Sequence, residues 1–212
     1  ALVYDAELDV YYVLSDDRGN TDDPRFYTMK IASDGSEVTI EEVTFLLDES
    51  GQTIAEGSID PEGIALLDRW LFISSEGDIE LSPIVDPAVY EYTLIGERTA
   101  SFTIPEKFLP DGAETSGIRN NSAFESLTLS PNGTVLTTAV ENSLFQDGPK
   151  STTDIDSFVR LIQFDIATMQ PTAEYVYVTN IVEEKGIIAE NGLVELIALD
   201  NAGNYLALER SY

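Results

Sequence analysis

The sequence predicts an all-β fold, and three observations carry that reading. Stretches rich in β-branched and aromatic residues recur along the chain, turn-forming clusters separate them, and few windows show the three-and-four spacing of an amphipathic helix. The strands run in order as Asp9–Asp17, Arg69–Glu76, Thr134–Glu141, Arg160–Asp165, Glu174–Thr179 and Tyr205–Glu209. Val, Ile, Thr, Tyr and Phe fill them because such side chains fit a pleated, half-buried surface. Tyr11, Tyr12, Tyr175, Tyr177 and Phe72 are accordingly read as sheet packing. The turns fall at Ser33–Ser36, Asp48–Gly51, Pro131–Gly133 and Asp200–Gly203. There Asn or Asp bonds its own backbone and Gly accepts a positive φ. Asn180–Gly192 is the best window for a short helix.

A loose internal repeat narrows the fold. An acid leads a short apolar strand, a turn follows, and a second strand ends on another Glu. The copies run from Glu62 to Glu76, from Glu125 to Glu141 and from Glu195 to Glu209, with internal spacings of 14, 16 and 14 residues. Asp5 to Asp16–Asp17 reads as a shortened copy, and successive copies start 57, 63 and 70 residues apart. That period suits a four-stranded antiparallel blade, and blades arranged radially make a β-propeller. Side chains alternate along a strand, so Glu76, Glu141 and Glu209 each stand where an inner strand opens to solvent. The copies would then gather their acids in a ring near the channel mouth. About four blades fit 212 residues. Both ends fall within strands, so residues 1–212 are expected to be a single, partial propeller domain that the remaining blades of the same polypeptide would complete.

Composition excludes more than it proves. The chain has 39 Asp and Glu against 11 Lys and Arg, with no His and no Cys, for a formal net charge of −28. So negative a surface repels nucleic acid and anionic lipid, and it attracts cations. Without His or Cys there is no Ser-His-Asp triad, thiolate nucleophile, disulfide or His- or Cys-ligated zinc. No apolar run approaches the length of a membrane span, so no membrane insertion is expected. The first ten residues lack the basic start and apolar core of a signal peptide.

Several motifs, in order, resemble one family. They are Ser15–Asn20 with Pro24–Tyr27, Asp60–Ile64 with Ser74–Gly77, Gly117–Asn121 running into Phe124–Ser126, then Glu141–Leu144, Gln146–Gly148 and Leu208–Ser211. Together they resemble the phytase-like family, named for the esterase-like activity of phytase, over nearly the whole chain. The resemblance implies a secreted or periplasmic β-propeller with a phosphoesterase activity on a small phosphorylated substrate. Glu195 departs from the pattern, since it follows Gly-Leu-Val where the family tends to have a small polar residue.

Two functions remain open. Asp16, Asp17, Glu62, Glu76, Glu125, Glu141 and Glu209 are candidate ligands for Ca²⁺, a hard cation that takes six to eight oxygens in irregular geometry. The alternative is structural: each acid bonds a neighbouring blade's backbone N–H or pairs with an Arg. Arg18, Arg25, Arg119 and Arg210 stand in or beside the motifs, and so acidic a centre needs internal counter-charge. In the catalytic reading Glu76 or Glu141 takes a proton from water, and Arg25 or Arg119 stabilises the developing charge. Ser74, Ser75 and Ser126 lie near acids but have no base to activate them. In the other reading the propeller is a non-catalytic binding or surface-assembly module whose acids are purely structural.

Overall fold

The structure is a computed structural model, and it describes residues 1–182 and 189–211. Three antiparallel sheets follow one another along the chain, each adding its strands in sequence order. The first holds β1 (Leu2–Asp5), β2 (Val10–Leu14), β3 (Arg25–Ile31) and β4 (Val38–Phe45). The second holds β5 (Pro61–Leu67), β6 (Trp70–Ser75), β7 (Ala88–Thr93) and β8 (Arg98–Ser101). The third holds β9 (Phe124–Leu129), β10 (Val135–Val140), β11 (Phe158–Asp165) and β12 (Gln170–Val178). A two-stranded fourth sheet pairs β13 (Asn191–Ala198) with β14 (Tyr205–Ser211). These are blades of a β-propeller: the first strand of each sheet packs beside the first strand of the next, in the order β1, β5, β9, β13.

The core lies between blades. One apolar cluster joins the first and second blades through Tyr12, Phe26, Ile64 and Ile73. A larger one joins the second, third and fourth through Phe72, Phe124, Leu136, Phe164 and Leu193. The 3₁₀ turn at Glu106–Phe108 adds Phe108, whose ring centroid is 5.6 Å from that of Phe124. On the fourth blade, Ile197, Leu206 and Leu208 are each more than half exposed. Among the described residues no helix is long and apolar enough to cross a membrane.

The inner strands approach very closely at Gly63. A Cβ there would stand 2.7 Å from Leu127 Cβ, from the Leu127 backbone nitrogen and from Ser74 Oγ. Two of those atoms cannot rotate away, so Gly63→Ala forces β5 and β9 apart. We expect it to cost about 1–3 kcal/mol, read as a lower urea midpoint with an unchanged slope. A midpoint equal to that of the parent would refute the close approach.

The strands and turns lie where sequence patterning puts them, with two corrections. The helix expected over Asn180–Gly192 is absent from its described part, where Asn191 and Gly192 open β13; residues 183–188 lie outside the described residues. Tyr177 is more than a packing residue, because its hydroxyl donates to Glu209 Oε1 at 2.5 Å.

The first two strands of blades two, three and four share an irregularity that fixes the site. Near the start of each inner strand the ladder bulges: between Pro61 and Ile64, between Phe124 and Ser126, and between Leu193 and Glu195. A bulge turns its extra residue out of the ladder and re-aims it. Glu62, Glu125 and Val194 are those re-aimed residues.

Candidate functional site

Superposing the blades on their bulges gives a second set of equivalent positions. Ser75, Val140 and Glu209 pair across the last rung before the bulge, and the residues that follow them are Glu76, Glu141 and Arg210. The second and third blades therefore each contribute two acids to the same end of the inner strands. The fourth contributes Val194 and Arg210 instead. Its equivalent positions lie 16 residues apart instead of 14, so Glu195 falls one residue past the first and Glu209 one residue short of the second, and both lie off the ring.

The acids converge in two groups. In one, oxygens of Asp16, Asp60 and Glu62 all lie within 4.8 Å of one another; in the other, oxygens of Glu76, Glu125 and Glu141 do so. Glu62 and Glu125 act on each other electrostatically across the two groups. Arg18 flanks the first, with Nη2 2.6 Å from Asp60 Oδ2 and a second nitrogen 3.6 Å from Asp78. It also donates to Asn121 Oδ1 at 2.8 Å. Arg210 flanks the second, 3.4 Å from Glu141 and 3.6 Å from Glu125.

Two of the acids also fasten blade to blade. Glu76 is 1% exposed, and its Oε1 accepts the Ala123 N–H at 2.6 Å, tying the second blade to the third. Glu141 binds through its backbone: its N–H donates to Ala123 O at 2.6 Å, and its carbonyl accepts from Leu193 at 2.9 Å. Gly192 leaves room for it, since a Cβ there would collide with the Glu141 side chain.

Crowding carboxylates out of water is electrostatically costly, and the titration of the ring reflects this. Burial first, and then the charges of their neighbours, raises Glu62, Glu76 and Glu125 above the ordinary carboxylate range. Glu62 rises further than Glu125, since it is buried against the charges of Glu125, Glu76, Asp16 and Asp60. Burial also raises Glu141 and Asp60, although Arg210 and Arg18 pull the other way. Six acids face two arginines. Lys150 adds a weaker positive charge near Glu141, and protons or cations would offset the remainder.

Four residues expected at the site, Asp17, Arg25, Arg119 and Glu209, are not among the six clustered acids or the two arginines that pair with them. Asp17 accepts from the N–H groups of Gly19, Thr21 and Asp22 and pairs with Arg25 at 3.2 Å, so it organises its own loop. Arg25 is further occupied by Tyr27 Oη at 2.7 Å and the Asp23 carbonyl at 3.0 Å. Arg119 donates to the carbonyls of Ser143 at 2.9 Å and Gly148 at 2.7 Å, and stacks 4.3 Å over Phe145. Neither arginine forms an ion pair with the six ring acids among the described residues. Glu209 is bonded by Tyr177, Asn180 and Asn191. Burial raises it, but those bonds outweigh burial and hold it below its usual range. Sequence reasoning missed Asp60 as a site residue, although it opens the Asp60–Ile64 motif two residues before Glu62.

A cavity of about 920 Å³ sits at the other end of the inner strands, lined by β1 and by the hairpin ends of β5, β9 and β13. It is lined by Leu67, Leu129 and Ala198 among others and includes none of the ring acids.

Among curated proteins no match was found. Two similar solved structures are a hydrazine synthase of Kuenenia stuttgartiensis and PpgL, a periplasmic gluconolactonase of Pseudomonas aeruginosa. The first is 14% identical with a TM-score of 0.40, covering 84% of this chain and 48% of that one. The second is 13% identical with a TM-score of 0.46, covering 99% of this chain and 64% of that one. The chain thus spans less than two thirds of either. The family model for the phytase-like proteins, described as esterase-like activity of phytase, matches residues 1–212, and the chain belongs to that family.

Proposed function

We propose that this chain belongs to an exported phosphoesterase that hydrolyses a small phosphate ester at its acid ring with the help of Ca²⁺. The observation that carries the reading is the convergence of Glu76, Glu125 and Glu141 beside Arg210. The donor set fits the ion. All donors are carboxylate oxygens with neither nitrogen nor sulfur among them, and they crowd within the span that one Ca²⁺ shell covers. When bound, Ca²⁺ would reverse the local potential and polarise the phosphorus–oxygen bond.

The side chains supply the rest. Arg210, half exposed at the rim, meets the phosphate oxygens as charge builds on them. Glu141, with Arg210 on one side, accepts the proton of the attacking water. The water oxygen bonds phosphorus, the ester oxygen leaves with the bonding pair, and a proton returns to it to give the alcohol. Glu76 is held by the Ala123 N–H and keeps its carboxylate aimed at the ring. Arg25 and Arg119, committed to Asp17 and to backbone carbonyls, hold the loops around the site. Export accords with the family resemblance and with the weak calcium sites of extracellular modules, which work at about 10⁻⁴–10⁻³ M.

Hydrolysis of an aryl phosphate by the full-length protein, in excess Ca²⁺ and in chelator, tests the proposal. We expect calcium-dependent turnover that falls about 10²-fold or more in Glu141→Gln while the fold persists by circular dichroism. No turnover at any calcium concentration would overturn it, and the protein would then be a binding module with structural acids.

A further inference from the structure

The first acid group, Asp16, Asp60 and Glu62, has no part in the proton transfer proposed above, yet one of its atoms is unaccounted for. Asp60 is 1% exposed. Its Oδ2 faces Arg18 at 2.6 Å, whereas its Oδ1 is buried and meets no hydrogen-bond donor. A buried carboxylate oxygen without a partner costs about 1–3 kcal/mol or more. Arg18 holds Oδ2, and Asp60 stands in one group with Asp16 and Glu62.

We propose that Asp16, Asp60 and Glu62 form a second, separate divalent-cation site, with Asp60 Oδ1 as its buried ligand. The geometry allows it. Two oxygens on one Ca²⁺, each at about 2.3–2.6 Å, lie no more than about 5 Å apart, and one oxygen from each of the three acids lies within 4.8 Å of the others. The burial gradient suits an ion that enters from solvent. Asp16 is exposed, Glu62 half-buried and Asp60 buried, so the ion would keep water on the Asp16 side and anhydrous contact on the Asp60 side. Arg18 then orients a ligand from behind, as second-shell partners of metal ligands commonly do. The inference rests on the proposed function only for its catalytic meaning. As a binding site it stands on Asp60 alone.

Calorimetric titration of the full-length protein with Ca²⁺ alone tests it. Two ions per chain are expected for the parent. Asp60→Asn should remove one of them or weaken it at least tenfold, and leave the other. Asp16→Asn should do the same more mildly, and because Asp16 is exposed that variant keeps its packing if Asp60→Asn does not fold. Glu141→Gln should remove the other ion. One ion per chain, lost in Glu141→Gln and unchanged in Asp60→Asn and Asp16→Asn, would overturn the second site while leaving the proposed function intact. One ion lost in Asp60→Asn and Asp16→Asn but kept in Glu141→Gln would support this site and count against the proposed function. A flat titration would overturn both.

Discussion

Stripped of divalent ions, the protein is expected to melt at a lower temperature at pH 8 than at pH 5.5, and excess Ca²⁺ should restore the loss. Asp60, Glu62, Glu76, Glu125 and Glu141 all hold their protons more tightly in the folded chain than in the unfolded one. From the ordinary carboxylate range upward, the unfolded state therefore binds fewer protons than the folded state. Stability falls as pH rises, by about 1.4 kcal/mol per pH unit for each such proton. The drop ends only above the raised values. Asp17 and Glu209 have the opposite sign, because they lie below their ordinary range when folded. Their contribution is complete above that range and is lost as pH falls through it. The chelated protein should accordingly be most stable in mildly acidic solution. Bound cations replace the protons. At a hundredfold excess over Kd they add about 2.7 kcal/mol, or roughly 5–10 °C for a chain of this size. The replacement also releases protons, so the heat of calcium binding at pH 6 should change with the ionisation enthalpy of the buffer. Melts that match in Ca²⁺ and chelator and climb steadily with pH would contradict this account of the ring.

Phe124→Ala should be the most damaging single truncation near the site. Phe124 is fully buried, packs on Phe108 and stands immediately before the bulge that re-aims Glu125. Removing a buried aromatic ring leaves a cavity that rigid strands close poorly, at about 3–5 kcal/mol. That corresponds to a melting point lower by roughly 6–20 °C. The ring acids should suffer with it, because Ala123 beside it supplies both the N–H that holds Glu76 and the carbonyl that holds Glu141. A loss below about 1 kcal/mol would mean that the site collapses around the gap far more easily than this packing implies.

The fold was largely legible because strand and hairpin patterns are local. Val135, Leu136 and their neighbours announce β10, and Pro131–Gly133 announces the turn before it, whatever the rest of the chain does. The repeat of acids was legible for the second and third blades. Its spacing in the fourth was not, since it depends on hairpin length. Asp68 and Arg69 alone join β5 to β6, whereas five residues join β9 to β10 and six join β13 to β14. A spacing of 14 residues therefore reaches the ring in the second blade and falls short of it in the fourth, where Glu209 stops one position early. The longer turn at Asp200–Gly203 was the available signal. Asp60 was hidden for another reason. Its role depends on burial between blades and on Arg18, a residue 42 positions earlier in the chain. Arg25 and Arg119 were drawn to the ring by their charge, but nearby carbonyls and Asp17 claim them first.

Arg210 lies on β14, which pairs with β13 in the fourth blade. Local opening of that hairpin would take the guanidinium away from Glu125 and Glu141 and leave their charge uncovered. Closure of the hairpin and neutralisation of the ring would then reinforce each other. Ions bound at Glu125 and Glu141 would do part of Arg210's work and weaken that coupling, whereas loss of protons there would strengthen it. Amide hydrogen exchange along β14 should report that balance directly, slowing or quickening with the charge on a ring that its own amides do not touch.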